Sequence, residues 1–277
     1  QTSSNVTAFT SDGVTLSSNG AVNANSETYM SWNWLGANGT TANTDGSISS
    51  TVSANTTSGF SIVKWTSTGS TGTVGHGLGV TPKFIVVKRL EDSGYDWVVY
   101  HVNDTAGLYL NSAVVNNDSS AAAIFDRSPT STVFNITADG RIGGNTTGKN
   151  YIAYCFVDVT GFSKISSYTG NSSTDGTFVY CGFKPSFIFT KATATGESWQ
   201  IYDNKRLGFN ATEKVLYPDT SGSESTLAGG VDFLSNGFKW RTADGGVNSS
   251  QLYIYMAFAE NPFVATSGTS AIPVTAR

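Results

Sequence analysis

The chemistry open to this 277-residue sequence rests on few side chains, because it holds two histidines, His76 and His101, and two cysteines, Cys155 and Cys181. A Ser-His-Asp site would need one of those histidines, and no Gly-x-Ser-x-Gly elbow precedes a helical pattern. Two Cys and two His without close spacing do not assemble into a zinc site. Gly75-His76-Gly77-Leu78-Gly79 is dense in glycine but lacks a Walker lysine and a following helix, so it reads as tight-turn backbone instead of a phosphate loop. Glu91, Asp92, Asp96, Asp219, Glu224 and Asp232 are the carboxylates from which a glycosidase-type pair would be drawn, and a solvated loop acid is the default reading of each. The expectation is a chain with no catalytic residue, no metal and no cofactor.

Composition narrows the partners. Charged residues make up 13% of the chain and the net charge is -4, which argues against a nucleic-acid partner, since that binding is driven by clustered cations. Ser, Thr, Asn and Gly exceed two fifths of the residues, yet aromatics reach 12%, so the polarity comes from small neutral groups and disorder is a poor explanation. No apolar run approaches the roughly 18 residues of a membrane-spanning helix, and no membrane insertion is expected. No charged n-region followed by an apolar stretch opens the chain. Cys155 and Cys181 define no disulfide framework and read as free buried thiols. Ten Asn-x-Ser/Thr sequons, from Asn5 to Asn248, are read as a by-product of composition.

The chain repeats itself. Gly59-Phe60-Ser61 returns as Gly161-Phe162-Ser163, Trp97 to Tyr100 as Trp199 to Tyr202, and Tyr151 to Phe156 as Tyr253 to Phe258, each 102 residues on. Residues 59–160 and 161–263 are therefore two copies of one unit. Residues 1–58 read as a partial copy of its closing half plus a linker over 36–58, and 264–277 as a tail. Short runs rich in β-branched and aromatic residues (Ile62–Trp65, Phe84–Lys88, Trp97–Tyr100, Leu108–Leu110, Tyr151–Val159, Phe178–Cys181, Phe187–Thr190, Trp199–Tyr202, Leu252–Phe258) predict strands. Asp-Gly or Asn-Gly pairs at Asp12, Asp45, Asp139, Asp175, Asn236 and Asp244 predict tight hairpin turns. The fold class expected is all-β, with tandem antiparallel sandwich-like domains from a duplication of about 102 residues.

The repeat also sorts the aromatics. Trp97 with Trp199, Tyr100 with Tyr202, Tyr151 with Tyr29 and Tyr253, and Phe156 with Trp34 and Phe258 recur, as core positions should. Trp65, Tyr95 and Trp240 have no aromatic counterpart at that spacing. They are the candidate receptor-binding residues, with sugar stacking weighed against ordinary packing.

The phrases Gly59-Phe60-Ser61-Ile62-Val63, Gly75 to Lys83, Tyr151 to Phe156, Gly161 to Lys164 and Trp199 to Asp203 resemble the repeats of tail-fibre-like proteins of tailed, especially marine, bacteriophages. The resemblance covers nearly the whole chain and brings no catalytic residue with it. It implies a structural and adhesive component at the virion surface, engaging a host-surface glycan or protein and contacting other virion proteins. It also implies self-association as a homotrimer, for which the apolar stretches Phe84–Val87 and Leu252–Ala259 give a second motive, since they call for burial on two sides. The alternatives are a purely structural head fibre or capsid decoration protein and, third, a capsule-degrading fibre enzyme.

Overall fold

The computed structural model describes residues 5–10, 13–104, 107–114, 125 and 128–261. The tail 264–277, Asp12 and the sequon at Asn117 lie outside them. The chain divides into a unit that ends at Trp34 and a larger unit that begins at Leu35. The first holds the hairpin of β1 (Val6–Phe9) and β2 (Val14–Leu16) and a single turn, α1 (Gly20–Asn23), capped by the Asn19 side chain. No described residue in it is buried, because two strands have no opposing sheet to cover them. Tyr29, expected in a core, is 49% exposed and outside any strand, donating its hydroxyl to the Gly20 carbonyl.

The larger unit is nearly all antiparallel β. One sheet has seven strands in the order β3-β4-β5-β11-β7-β8-β9. These are β3 (Thr41–Asn43), β4 (Ser50–Asn55), β5 (Phe60–Thr68), β7 (Phe84–Arg89), β8 (Val98–His101), β9 (Leu108–Tyr109) and β11 (Thr147–Phe156). The antiparallel pair of β6 (Gly72–Gly75) and β10 (Val133–Ile136) lies across one face. Val63, Trp65, Ile85, Val87, Tyr151 and Ala153 meet Val74 and Phe134 in this first core. A four-stranded sheet follows in the order β12-β19-β14-β15, from β12 (Ser163–Thr169), β14 (Pro185–Ala192), β15 (Gln200–Asp203) and β19 (Leu252–Ala259). Facing it is β13-β18-β17-β16, from β13 (Phe178–Tyr180), β16 (Thr212–Val215), β17 (Ser225–Leu234) and β18 (Gly237–Trp240). Between these two sheets sit Tyr168, Ile188, Tyr202 and Tyr253 with Val179, Phe233, Phe238 and Trp240.

Residues 36–58, linker-like in composition, instead carry β3 and β4, and β4 pairs with β5 from Ser50 opposite Trp65 to Asn55 opposite Phe60. Ile48 and Val52, two apolar residues in a Ser- and Thr-rich stretch, are buried in the first core and anchor it. The Asp-Gly turns also work differently from expectation. None of the described glycines in those pairs has a positive φ, and several are needed for close approach: a Cβ on Gly176 would come within 2.5 Å of the Trp240 carbonyl. Positive φ falls on Gly59 and Gly161, which open the two Gly-Phe-Ser phrases.

Strands β7 and β19 are buried on both faces, unlike a strand with one wet side. Their second faces meet each other's sheets. Phe84 lies edge-on to Phe189 with ring centroids 6.1 Å apart, and Phe156 to Phe258 at 6.2 Å. Across the same seam Trp199 Nε1–H donates to the Tyr109 carbonyl at 2.8 Å, and His101 Nε2 reaches the Tyr255 carbonyl at 3.4 Å. The two-sided burial that the apolar strands require is met within one chain. Phe156 sits at the middle of this seam, also contacting Phe60 and Phe84. Phe156→Ala is expected to lower unfolding stability by about 3–5 kcal/mol in denaturant titration, whereas Val80→Ala, at a site 57% exposed, stays within about 0.5 kcal/mol of the parent.

Candidate functional site

The three aromatics singled out by sequence are not equivalent in space. Trp65 and Trp240 are 2% and 0% exposed, so neither offers a ring face to a sugar. Trp65 stacks on Tyr151 at 5.4 Å, and Trp240 lies edge-on to Tyr202 at 5.3 Å. The strand registers explain why Trp65 looked unrepeated. Trp65 pairs with Tyr151 as Tyr168 pairs with Tyr253, but Tyr168 lies 103 residues after Trp65 while Tyr253 lies 102 after Tyr151. A one-residue slip in a strand exchanges its faces, so comparison at fixed spacing matched Trp65 to the wrong neighbour, Ser167.

Tyr95 does sit in a cluster that can recognise a ligand. It is half-buried on the loop after β7, and the Arg89 guanidinium stands over its ring at 4.1 Å. The Lys88 ammonium bonds the Tyr95 carbonyl and lies 5.9 Å from the Trp97 ring. Trp97 is half-buried, whereas Trp199, 102 residues on, is buried. Asn111 brackets it, accepting from the Trp97 N–H at 2.8 Å and donating to Asp96 at 3.0 Å. Arg141 closes the group, 3.9 Å from Asp96, 3.0 Å from Asp139 and 5.6 Å from the Tyr109 ring centre. The Tyr95 ring goes with Arg89 and the Trp97 ring with Lys88, neighbouring residues of β7 whose side chains leave opposite faces of the sheet, so each part-exposed ring, with the polar groups beside it, suits a polar ligand with an apolar face. Sequence pointed to Tyr95; Trp97 follows two residues on in the same loop, and Asn111 and Arg141 join from other loops, which no local spacing reveals.

Four of the remaining candidate carboxylates are spoken for. Glu91 accepts from the Asn150 backbone and side chain, which hold it below the ordinary carboxylate range, and Asp92 contacts Arg89 and Lys149. Glu224 pairs with Arg206 at 2.9 Å and Asp232 with Arg241 at 2.5 Å. Asp219 is the exception, with its Oδ1 buried and without a hydrogen-bond partner among the described residues; its charge acts on Lys191, a buried ammonium whose pKa burial lowers to about 8.

The comparison with protein families gives one match, a model described as a domain of unknown function, DUF7483, over residues 1–262. The chain belongs to the DUF7483 family. No curated protein and no solved structure matches this sequence.

In this DUF7483 chain both cysteines are free and buried, and burial pushes the Cys181 thiol up to about 12 and that of Cys155 higher still. His76, expected on the surface of a turn, is wholly buried. Its Nδ1 accepts from the Leu78 N–H and its Nε2 reaches the Thr130 carbonyl. His101 is held alike, Nδ1 accepting from the Asn103 N–H at 3.0 Å. A carbonyl only accepts, so the Nε2–H tautomer of a neutral ring satisfies both sites. Burial lowers both pKa values, that of His101 to about 4. The unfolded chain therefore takes up protons first as pH falls from about 6.5. The histidine contribution to stability should be full above that pH, decline on acidification and level off below about 4. His101→Phe should flatten this slope in denaturation series across the window, with His76 contributing a remaining slope of the same sign.

Proposed function

We propose that this chain is a structural and adhesive component of a bacteriophage appendage, built by duplication of a unit of about 102 residues and binding a host-surface glycan or protein. The duplication is supported by geometry. The order β5-β11-β7-β8 matches β12-β19-β14-β15, with an antiparallel pair over each, β6-β10 and β13-β18. Tyr151 donates to the Gly140 carbonyl at 2.6 Å, and Tyr253 to the Gly245 carbonyl at 2.6 Å. The appendage reading is supported by the phrases shared with tail-fibre-like repeats. Buried thiols and neutral, pinned histidines suit a protein that must persist outside a cell.

The observation that carries the adhesive part is the loop region of Tyr95, Trp97, Asn111 and Arg141, where two part-exposed aromatic residues sit among hydrogen-bonding groups. Self-association as a homotrimer and contact with other virion proteins follow from the resemblance alone, because the apolar strands that gave a second motive find their cover inside the chain.

Antibody labelling of phage particles tests the placement. Label on tail appendages is the expected result; label confined to the capsid favours a head fibre or decoration protein, and unlabelled particles rule out a virion role. In a cell-attachment assay with the folded protein, Trp97→Ala should weaken attachment about tenfold, the loss of one ring contact.

A further inference from the structure

The first sandwich covers an edge that the second leaves bare. Thr73 and Gly75 on β6 point away from the first core and are overlaid by residues 43–48. The Ser47 N–H donates to Thr73 Oγ1, the Thr73 N–H to Ser47 Oγ and the Ile48 N–H to the Thr73 carbonyl, each at 2.9 Å. Ile48 bridges Val74 on the open side of the strand. This cover depends on glycine. A Cβ on Gly75 would collide with the Asn43 side chain, and one on Gly72 would stand 2.7 Å from Ser47 Oγ.

In the second sandwich β13 takes the place of β6. Val179 pairs with Phe238, which meets the Tyr168 ring edge-on, as Val74 pairs with Phe134, which meets Trp65 edge-on. Phe178 and Tyr180 then stand where Thr73 and Gly75 stand. They are 43% and 65% exposed, and among the described residues no strand pairs with the outer side of β13. Two rings at these positions bar a backbone from settling as residues 43–48 settle on β6. A second polypeptide strand is thus a poor occupant, while a flat, ring-shaped one fits.

The adjoining polar groups say what kind of ring. Lys239 is directly across from Phe178, and Asp232 is across from Lys239 on the same outward face. Lys239 Nζ lies 2.9 Å from Asp175, and Arg241 ties Asp232 at 2.5 Å to Asp175 at 3.7 Å. Gly237 opposite Tyr180 leaves the flank of that ring without a side chain. Two cations and two carboxylates present donors and acceptors without a net charge. We propose that this face is a carbohydrate platform, in which the C–H face of a neutral sugar stacks on Phe178 and Tyr180 while neighbouring hydroxyls bond Lys239, Asp175 and Arg241. The inference rests on the adhesive reading for the source of the sugar, a host surface.

Amide spectra of the labelled full-length chain, titrated with maltose, cellobiose, lactose and mannobiose, provide the test. The expected result is shifts centred on Phe178, Tyr180, Gly237 and Lys239 with at least one sugar, and an apparent affinity about tenfold weaker in Tyr180→Ala, the loss of one stacked ring. Because Tyr180 is an exposed side chain, its melting temperature should be unchanged. Absence of shifts with every sugar, shifts centred on Tyr95 and Trp97 instead, or equal affinity in Tyr180→Ala overturns the proposal. A lower mass of Tyr180→Ala in light scattering without any sugar effect overturns it in favour of a contact between copies. Particle labelling is read independently, so failure of the platform leaves the appendage role standing, and failure of that role leaves sugar binding standing.

Discussion

The seam between the two inner sheets is the contact on which the larger unit depends. Phe84, Phe156, Phe189 and Phe258 interleave edge to face across it, and Trp199 and His101 each bond a backbone carbonyl of the opposite sheet. Aromatic rings bury large areas and prefer this tilted geometry, so a few of them hold two sheets in one relation. The seam also decides what is left outside. It buries Trp199 against the first sandwich, leaves Trp97 half-open on its loop, and turns the β13 face of the second sandwich outward.

Much of this was legible in the sequence. Nine short aromatic and β-branched runs mark strands, and the phrases that recur 102 residues apart fall on or beside strands in both halves. What escaped had physical causes. Trp65 read as unrepeated because strand spacing changes by one residue between elements, and one residue is enough to move a side chain from surface to core; Trp240 stands by register where the first half has Ile136, so its ring is unrepeated and buried all the same. The segment 36–58 read as linker because Ser and Thr dominate it, whereas two apolar residues, Ile48 and Val52, suffice to seat it in the first core. The Asp-Gly pairs signalled glycine for dihedral freedom; the fold uses several for the space a missing Cβ leaves. The apolar character of Phe84–Val87 and Leu252–Ala259 did announce burial on two sides, but a sequence does not say whether the covering face belongs to the same chain.

Function follows the same division. The groups able to do covalent chemistry, Cys155, Cys181, His76 and His101, are buried in the two halves and at the seam, with both histidines engaged through both ring nitrogens. Groups that recognise without reacting, half-open aromatics beside paired charges, lie on the loop cluster around Tyr95 and on the β13 face. Departures between the halves concentrate there: Thr73 and Gly75 give way to Phe178 and Tyr180, and buried Trp199 contrasts with half-open Trp97. Two halves with alike interiors and unlike exteriors are suited to presenting different contacts from one scaffold.

Hydrogen exchange along a denaturant series tests the seam most directly, by comparing the opening free energies of β11 and β19, the central strands of the two inner sheets. If the aromatic seam binds the halves into one cooperative body, the most protected amides of both strands converge on one global opening. Separate openings, with β19 exchanging through a lower free energy while β11 stays closed, would contradict it.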